Sequence, residues 1–370
     1  MKIIVDQNIP LAQEFFSHLG EVIALPGRDL KSSDLKGADI LLVRSITQVN
    51  ESLLSGSNIQ FVGSCTIGID HLDTDYLDAN NITWANAPGC NANAVVQYVF
   101  SAMAALRPEW QKHTIGIVGC GNIGRRLYQR LCRLGCDVMV YDPFLESAPP
   151  VDIDPAHLVS FNKVLDADII TCHTPLTRNG PFPTYHLFGY DELSQLSDKT
   201  LLINSGRGAV IDNEALLSVL NQRTLLNQPV LSLALDVWEN EPTINRQLLE
   251  KVDLGTFHIA GYSVEGKEQG TYMIYKALCQ FLNKPIPQEK DLLLSQDKTT
   301  LDLHQHEQAS LNDLILACYN IVDDDKTLRN DSRFDLLRKE YVSRREYSHF
   351  ELSNSVQNLQ PSFDIIKGKY

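Results

Sequence analysis

Short runs of apolar residues alternate with segments of helical spacing along the first part of the chain. Two segments with helical spacing, Leu11–Leu19 and Glu51–Leu54, separate runs that are rich in Ile and Val. Alternation of strands and helices predicts a parallel sheet that is covered by helices on both faces. The predicted strands are Ile3–Val5, Val22–Ala24, Ile40–Val43 and Ile59–Val62.

A second alternating series begins near Thr114 and predicts another doubly wound domain. Before it, Asn93–Leu106 is apolar nearly all round, which predicts a buried helix at a domain interface, too short to span a membrane. The predicted helices of the second series are Ile123–Leu134 and Asn213–Leu220. Its predicted strands are Thr114–Val118, Asp137–Tyr141, Ile169–Cys172, Leu201–Asn204 and Val230–Leu235.

The pattern changes after about Asn283, where prolines are followed by mixed charges and scattered apolar residues. Apolar stripes at Leu311–Cys318 and Phe334–Tyr341 predict amphipathic helices. A segment of roughly 85 residues with such stripes usually needs a partner surface, so we predict an α+β dimerisation domain and a homodimer. A tail that folds onto its own protomer is the alternative. His304 and His306 alternate with polar residues and are predicted to be surface residues.

Composition limits the possible partners and the compartment. The 370 residues are 44% hydrophobic and 21% charged, which is typical of a folded chain of two or more domains. A net charge of −14 argues against nucleic acid and membrane as partners. The first residues lack a signal-peptide pattern, so we expect a cytoplasmic protein. Cys132 and Cys136 form the only close cysteine pair, and we expect no metal site and no disulfide there.

The strongest local motif is Gly119-Cys120-Gly121-Asn122-Ile123-Gly124, which lies between a predicted strand and a predicted helix. In that setting the glycines allow a tight turn, close backbone approach to a pyrophosphate and close packing of helix against strand. The next predicted strand ends at Asp142, whose carboxylate can accept hydrogen bonds from the adenosine ribose and would repel the extra phosphate of NADP. The motif therefore predicts NAD as the cofactor, although a strand-end turn aspartate is the simpler alternative for Asp142.

Reactive side chains follow three later strands of the second domain. Arg207 lies between two glycines, Glu241 ends an acidic run, and His258 follows Phe257. Taken singly, these are an exposed arginine, a solvated acidic run and a packed histidine. Together they suit oxidation of a 2-hydroxy acid, in which a histidine takes the hydroxyl proton, a carboxylate stabilises the imidazolium and an arginine holds the substrate carboxylate.

Several of these segments, in this order, resemble the D-isomer-specific 2-hydroxyacid dehydrogenases over residues 1 to about 285. The matching segments are GCGNIG (119–124), HTPLT (173–177), LLINSGRGAVID (201–212), LDVWENEP (235–242) and HIAGYS (258–263). The resemblance implies that Arg207, Glu241 and His258 are catalytic. It also implies cofactor contacts from Gly119, Gly121, Asn122, Ile123, Gly124, Asp142, Thr174, Ser205, Gly206, Asp236 and Gly261.

Further segments resemble a family member that acts on a small phosphorylated 2-hydroxy acid. They are VRSITQVN (43–50), GSCTIGIDHLD (63–73), NAPGCNANAVVQYV (86–99) and, in the C-terminal segment, FDLLRKEYVSRREY (334–347). This resemblance implies that Ser45, Thr66 and Tyr262 contact the substrate and that Arg44 lies near its phosphate. It implies a substrate-binding domain of residues 1–92 and 258–285, an NAD-binding Rossmann domain of 93–257 and a dimerisation domain of 286–370.

Two other functions remain open at this point. A sibling dehydrogenase acting on 3-phosphoglycerate or on an unphosphorylated 2-hydroxy acid would share the three catalytic residues. An NAD-sensing interaction scaffold would be expected to carry a disordered tail, whereas the tail of this chain has apolar stripes and is predicted to fold.

Overall fold

The computed structural model describes residues 1–146, 148–286, 297–303 and 309–369. His304 and His306 therefore lie outside the described residues. The chain divides into two compact units. The first, unit 1, comprises Met1–Asn91 and Tyr262–Asp297, and the second, unit 2, comprises Ala92–Gly261 and Lys298–Tyr370.

The elements of the described residues are numbered in chain order. The strands are β1 Lys2–Asp6, β2 Glu21–Leu25, β3 Ile40–Val43, β4 Phe61–Ser64, β5 Thr83–Ala85, β6 Ile115–Val118, β7 Val138–Tyr141, β8 Ile169–Cys172, β9 Leu201–Asn204, β10 Ser232–Leu235, β11 Leu254–Gly255, β12 Thr299–Leu301 and β13 Phe350–Leu352. The helices are α1 Ala12–Phe16, α2 Glu51–Leu54, α3 Thr74–Ala79, α4 Ala92–Leu106, α5 Asn122–Arg133, α6 Phe161–Val164, α7 Tyr190–Gln195, α8 Asn213–Leu225, α9 Arg246–Lys251, α10 Val264–Phe281, α11 Leu311–Cys318, α12 Ile321–Asn330, α13 Phe334–Glu340 and α14 Gln360–Lys367.

Unit 1 is built on a five-stranded parallel sheet in the order β2-β1-β3-β4-β5. Side chains alternate between the two faces of a strand, so the apolar run Ile40–Val43 supplies both cores. Phe16 of α1 and Ile274 of α10 belong to one core, while Leu53 of α2 and Leu77 of α3 belong to the other. The strand order reverses between β1 and β3, which places a ligand-binding crevice at their carboxyl ends.

Unit 2 contains a six-stranded parallel sheet in the order β11-β10-β9-β8-β6-β7. Its order reverses between β6 and β8, so the segments after these two strands flank the expected ligand site. The predicted fold class, two doubly wound parallel-sheet (Rossmann/flavodoxin-like) domains with a small C-terminal region of helices and strands, is confirmed.

Helix α10 is a long element that the apolar pattern did not predict. It begins where Ser263 accepts a hydrogen bond from the amide of Gly266, and it runs for 18 residues. Two of its residues are glycines, which lower helix propensity and weaken the sequence signal. The packing explains Gly270, because a Cβ there would lie 2.6 Å from the carbonyl oxygen of Cys65.

The C-terminal residues of unit 2 pack on α4. Leu314 and Ile315 of α11 are fully buried in the same apolar cluster as Val99 and Met103 of α4. The stripe of α11 is therefore covered by the chain itself, as the alternative of a tail folded onto its own protomer predicts for this helix. β12 and β13, which also belong to the C-terminal residues, pair with each other in parallel. Among the described residues, no helix combines the length and apolar character that crossing a membrane requires.

Candidate active site

The glycine-rich motif forms the turn between β6 and α5. Gly119 has φ +90°, and a Cβ there would lie 2.9 Å from the backbone of Thr174. A Cβ on Gly124 would lie 2.1 Å from the carbonyl oxygen of Gly119. A Cβ on Gly121 would meet no atom of the described residues within 4 Å. Two glycines thus serve internal packing, while Gly121 borders open space at the N-terminus of α5, where Asn122 and Ile123 begin the helix.

The carboxylate of Asp142 lies beside this turn. One oxygen accepts a hydrogen bond of 2.9 Å from the amide of Cys120, and the other accepts one of 3.1 Å from the amide of Phe144. The first bond fixes the acidic group next to the glycine turn. The second is the strand-end turn of the simpler interpretation, and the contact of Asp142 with an adenosine ribose stays a prediction.

The segments after β8 and β9 present buried polar groups without partners among the described residues. The hydroxyls of Thr174 and Ser205 and the Nδ1 atom of His173 are buried, and none of the three has a hydrogen-bond partner among the described residues. Such groups are rare in a folded chain unless a ligand or water satisfies them. Gly206 lies next to them, with its amide donating to the side chain of Asn204 at 3.1 Å. These residues fit a polar ligand at the switch point of the sheet.

The three predicted catalytic residues line one cavity of unit 2, with a volume of about 320 Å³. His258 Nδ1 lies 2.7 Å from Glu241 Oε2, and the other oxygen of Glu241 accepts a 2.9 Å hydrogen bond from the amide of Trp238. Arg207 lies at the start of the turn after β9, and its Nη1 donates to the carbonyl of Gly206 at 3.1 Å. The structure thus brings together an arginine, a carboxylate and a histidine that are up to 51 positions apart in the sequence.

Glu241 and His258 are electrostatically coupled. Burial of Glu241 favours its neutral form, but the hydrogen bond and charge of His258, together with the amide of Trp238, outweigh it and hold the pKa of Glu241 below its usual value. Glu241 is therefore ionised at neutral pH. A carboxylate can only accept, so Nδ1 of His258 carries the hydrogen and Nε2 is the proton-accepting atom of the neutral ring.

Asp236 has a role that the sequence did not reveal. It is 1% exposed, and its carboxylate accepts hydrogen bonds from the hydroxyl of Thr256 at 2.7 Å and from the amides of Ile259 at 2.8 Å and Ala260 at 2.9 Å. These bonds hold the loop that carries His258. The half-buried Gly261 ends the same loop.

Sequence reasoning missed one wall of the cavity, formed by Arg178 and Tyr185. The guanidinium of Arg178 lies 3.6 Å from the centre of the Tyr185 ring, which also stacks on His186. His186 bridges two carboxylates, with Nδ1 at 3.2 Å from Asp212 and Nε2 at 2.8 Å from Glu239. No single one of these residues carries a signal in the sequence, because they meet only through the fold.

Unit 1 places Arg44 at its switch point, directly after β3. The Nε of Arg44 lies 3.0 Å from Asp6 Oδ2 at the end of β1, so this ion pair spans the point where the strand order reverses. Ser45 follows as an exposed residue. Arg44 and Ser45 therefore lie at the carboxyl edge of this sheet, and their contact with a substrate stays a prediction.

Two more predicted substrate residues of unit 1 have partners that the sequence did not indicate. The hydroxyl of Thr66 lies 2.9 Å from that of Ser64, which in turn lies 2.9 Å from Nε2 of His71. The ammonium of Lys267 lies 5.0 Å from the centre of the Tyr262 ring. Burial, and next the positive charge of Arg44, lower the pKa of Lys267.

The fold, the glycine turn and the three-residue cavity define the class of the protein. Residues 92–260 match the family model of the D-isomer specific 2-hydroxyacid dehydrogenase NAD binding domain, so the cofactor is NAD. Residues 292–364 match a second model, described as a domain of unknown function. A solved structure with the same fold is the NAD+-bound 3-phosphoglycerate dehydrogenase of Entamoeba histolytica, with a TM-score of 0.62 and 22% identity over 80% of this chain and 99% of that one.

Curated relatives match nearly the whole chain. The erythronate-4-phosphate dehydrogenase of Saccharophagus degradans is 45% identical over 98% of this chain and 97% of its own length. That of Escherichia coli O7:K1 is also 45% identical, over 94% of this chain and 93% of its own. The chain belongs to the erythronate-4-phosphate dehydrogenase family.

Proposed function

We propose that this enzyme oxidises C2 of 4-phospho-D-erythronate to the 2-oxo acid, 3-hydroxy-2-oxo-4-phosphooxybutanoate, with NAD, in the formation of pyridoxal 5′-phosphate. The observation that carries the proposal is the cavity in which Glu241 and His258 are hydrogen bonded beside Arg207. The names of the relatives supply the substrate.

His258 removes the hydroxyl proton of the substrate. Nδ1 is held by Glu241, so Nε2 accepts the proton, and the adjacent carboxylate stabilises the imidazolium that results. Bound NAD would supply the acceptor for the hydride of C2. The proton on His258 and the hydride account for the two hydrogens that the alcohol loses as its C2–O bond becomes a carbonyl.

Arg207 holds the substrate carboxylate. It is a half-buried guanidinium in the same cavity as the base, and its planar fork can donate two parallel hydrogen bonds to a carboxylate. The charge of the arginine also favours the developing negative charge on the C2 oxygen.

The residues of unit 2 fit NAD. Gly121 leaves room for the pyrophosphate against the N-terminus of α5, and Asp142, beside the same turn, is proposed to accept hydrogen bonds from the adenosine ribose. The buried hydroxyls of Thr174 and Ser205 would find partners on the nicotinamide side, where Gly206, Asp236 and Gly261 are also proposed to contact the cofactor. The remaining cofactor contacts proposed are Gly119, Asn122, Ile123 and Gly124.

The substrate phosphate is proposed to bind in unit 1 at Arg44 and Lys267. Two neighbouring cations repel each other, and a phosphate dianion beside them would relieve that repulsion. Ser45, Thr66 and Tyr262 would contribute hydroxyl groups to the same ligand. His71 supports the position of Thr66 through Ser64.

One assay with parallel substrates tests this function. NADH absorbance is followed with 4-phosphoerythronate, 3-phosphoglycerate, glycerate and lactate at equal concentrations. We expect the highest kcat/KM with 4-phosphoerythronate and little turnover of the unphosphorylated acids. Preference for 3-phosphoglycerate would assign the chain to a sibling activity, and NADH binding without turnover of any acid would favour an NAD-sensing scaffold.

A homodimer and a cytoplasmic location are part of the proposal. Since α11 is covered by the chain itself, a partner would have to use another part of the C-terminal segment, such as the surface around Val342, which is 87% exposed. A reducing compartment would keep the eight cysteines of the chain as thiols. Sedimentation of a Val342→Asp variant tests this surface, since a protein that stays dimeric must use another one.

A further inference from the structure

The loop after His258 is held through both its amide and its carbonyl groups. The carboxylate of Asp236 accepts from the amides of Ile259 and Ala260. Arg344, from the C-terminal segment, donates to the carbonyl oxygens of the same two residues, from Nη1 to Ile259 at 2.9 Å and from Nη2 to Ala260. Three successive peptide groups, from His258 to Gly261, are therefore held by two charged side chains.

Arg344 is itself fixed by other elements of unit 2. Its Nε donates to the side chain of Gln97 at 3.2 Å, and its Nη2 donates to the carbonyl of Ala94 at 2.9 Å. The guanidinium carbon lies 4.1 Å from the centre of the Tyr319 ring. The five donors of a guanidinium lie in one plane, so contacts with α4, the His258 loop and the residue after α11 define its orientation.

We propose that Arg344 is a positioning residue for His258, so that the C-terminal segment completes the active-site loop of its own chain. This inference rests on the proposed role of His258 as the base. Ile259 and Ala260 are 0% and 1% exposed, so their carbonyls have no ready replacement for the arginine. His258 has φ +60°, a left-handed conformation that a non-glycine residue adopts only when its surroundings impose it.

The chain offers a matched control in Arg329 of α12. Its Nη1 donates to the carbonyl of Leu249 and its Nη2 to that of Val252, both at 2.8 Å. It resembles Arg344 in residue type, in origin from the C-terminal segment and in capping two backbone carbonyls. These two carbonyls precede β11 and do not belong to the His258 loop. A substitution of Arg329 therefore weakens the packing of the C-terminal segment without removing a contact to the loop of the base.

The test compares Arg344→Lys with Arg329→Lys in the full-length protein. Lysine keeps the charge but cannot bond both carbonyls of the loop with a planar fork. With 4-phosphoerythronate we expect kcat of Arg344→Lys to fall about tenfold to hundredfold, as for a small misplacement of a catalytic group. The KM and the NADH affinity of Arg344→Lys should stay within about twofold of those of the unaltered protein, with one NADH bound per chain. Arg329→Lys should lower the melting temperature and leave kcat within about twofold.

Hydrogen exchange measured by mass spectrometry supplies a readout that needs no activity. Peptides covering 256–262 should exchange faster in Arg344→Lys, and peptides covering 247–255 should do so in Arg329→Lys. Should Arg344→Lys fail to fold, Gln97→Leu removes the acceptor of the arginine Nε and should give a smaller loss of kcat with the same exchange pattern.

Normal kcat or unchanged exchange at 256–262 in the folded Arg344→Lys protein would overturn the proposal, as would an equal loss of kcat in both lysine variants. Failure of the unaltered protein to reduce NAD with 4-phosphoerythronate would instead count against the proposed function. The exchange experiment would still show whether Arg344 holds the loop.

Discussion

Substituting alanine at two glycines of the same turn should separate cofactor binding from folding. A methyl group at position 124 would lie 2.1 Å from the carbonyl oxygen of Gly119, well inside van der Waals contact, so the turn would have to shift. Forcing extra atoms into packed structure costs about 1–3 kcal/mol. Gly124→Ala should therefore lower the melting temperature of the ligand-free protein by several degrees.

Gly121→Ala should behave in the opposite way. Its φ of −78° is accessible to alanine, and the added methyl would meet no described atom within 4 Å, so the free energy of unfolding should change by less than about 1 kcal/mol. The methyl would occupy the space through which a pyrophosphate approaches the backbone. We expect the Kd of NADH to rise at least tenfold, equivalent to about 1.4 kcal/mol.

Calorimetry of the ligand-free proteins and a fluorescence titration with NADH measure the two effects. The two variants control for each other, because Gly124→Ala should chiefly lose stability and Gly121→Ala should chiefly lose affinity for NADH. If Gly121→Ala bound NADH with the unaltered Kd, the pyrophosphate could not lie against this turn. If Gly124→Ala were as stable as the unaltered protein, the close contact with Gly119 would not constrain the fold.

Four further predictions concern chemistry, cofactor choice, substrate phosphate and pH. His258→Ala should lower kcat about 10²–10⁴-fold while a titration shows normal NADH binding, and nearly normal turnover would remove His258 as the base. The kcat/KM with NAD should exceed that with NADP by orders of magnitude, and Asp142→Ser should reduce this preference for NAD. Equal kcat/KM values with the two cofactors in the unaltered protein would refute the role of Asp142 in excluding NADP. Lys267→Met should raise KM for 4-phosphoerythronate at least tenfold, whereas Lys276→Met, a control from the same helix that also packs over a tyrosine ring, should not; equal effects would argue against a phosphate contact. Burial lowers the pKa of His173 to about 3. Below pH 6.5 this histidine therefore binds a proton in the unfolded chain but not in the folded one, and the free energy of unfolding falls as the pH is lowered. At pH 5 the loss in the free energy of unfolding is about 2 kcal/mol. The melting temperature of His173→Gln should therefore fall less between pH 7 and 5 than that of the unaltered protein. Equal falls in the two proteins would contradict the lowered pKa of His173.

The sequence predicted the central strands and three of the residues that line the cavity, because the segments that carry them have a local pattern. β3, β8 and β9 coincide with the predicted runs, since a strand buried on both faces is a mostly apolar run. The predicted run Ile59–Val62 is displaced from β4, Phe61–Ser64, because the buried strand continues through Gly63 and Ser64, which carry no apolar signal.

The parts that could not be predicted depend on contacts between distant residues. Arg344 meets the His258 loop across 84 or more positions. It follows Phe334–Tyr341, for which the apolar pattern predicts an amphipathic helix that packs on a partner surface. Helix α13 in fact ends at Glu340, which lets the following residues extend toward the loop. Similarly, Asp236 was assigned to the cofactor by resemblance, and its buried bonds to the loop became visible only in the fold.

The insertion of 92–261 between the two parts of unit 1 has a consequence for synthesis on the ribosome. The face of the unit 1 sheet that α10 covers, through Ile274 and Leu278, stays without its helix until more than 170 further residues have been added after Asn91. At about 5–20 residues per second, that interval lasts roughly 10–35 s. During that time an apolar surface of the nascent chain is open to aggregation. We therefore expect the growing chain to recruit chaperones that bind nascent polypeptides, and to release them once residue 281 has left the exit tunnel.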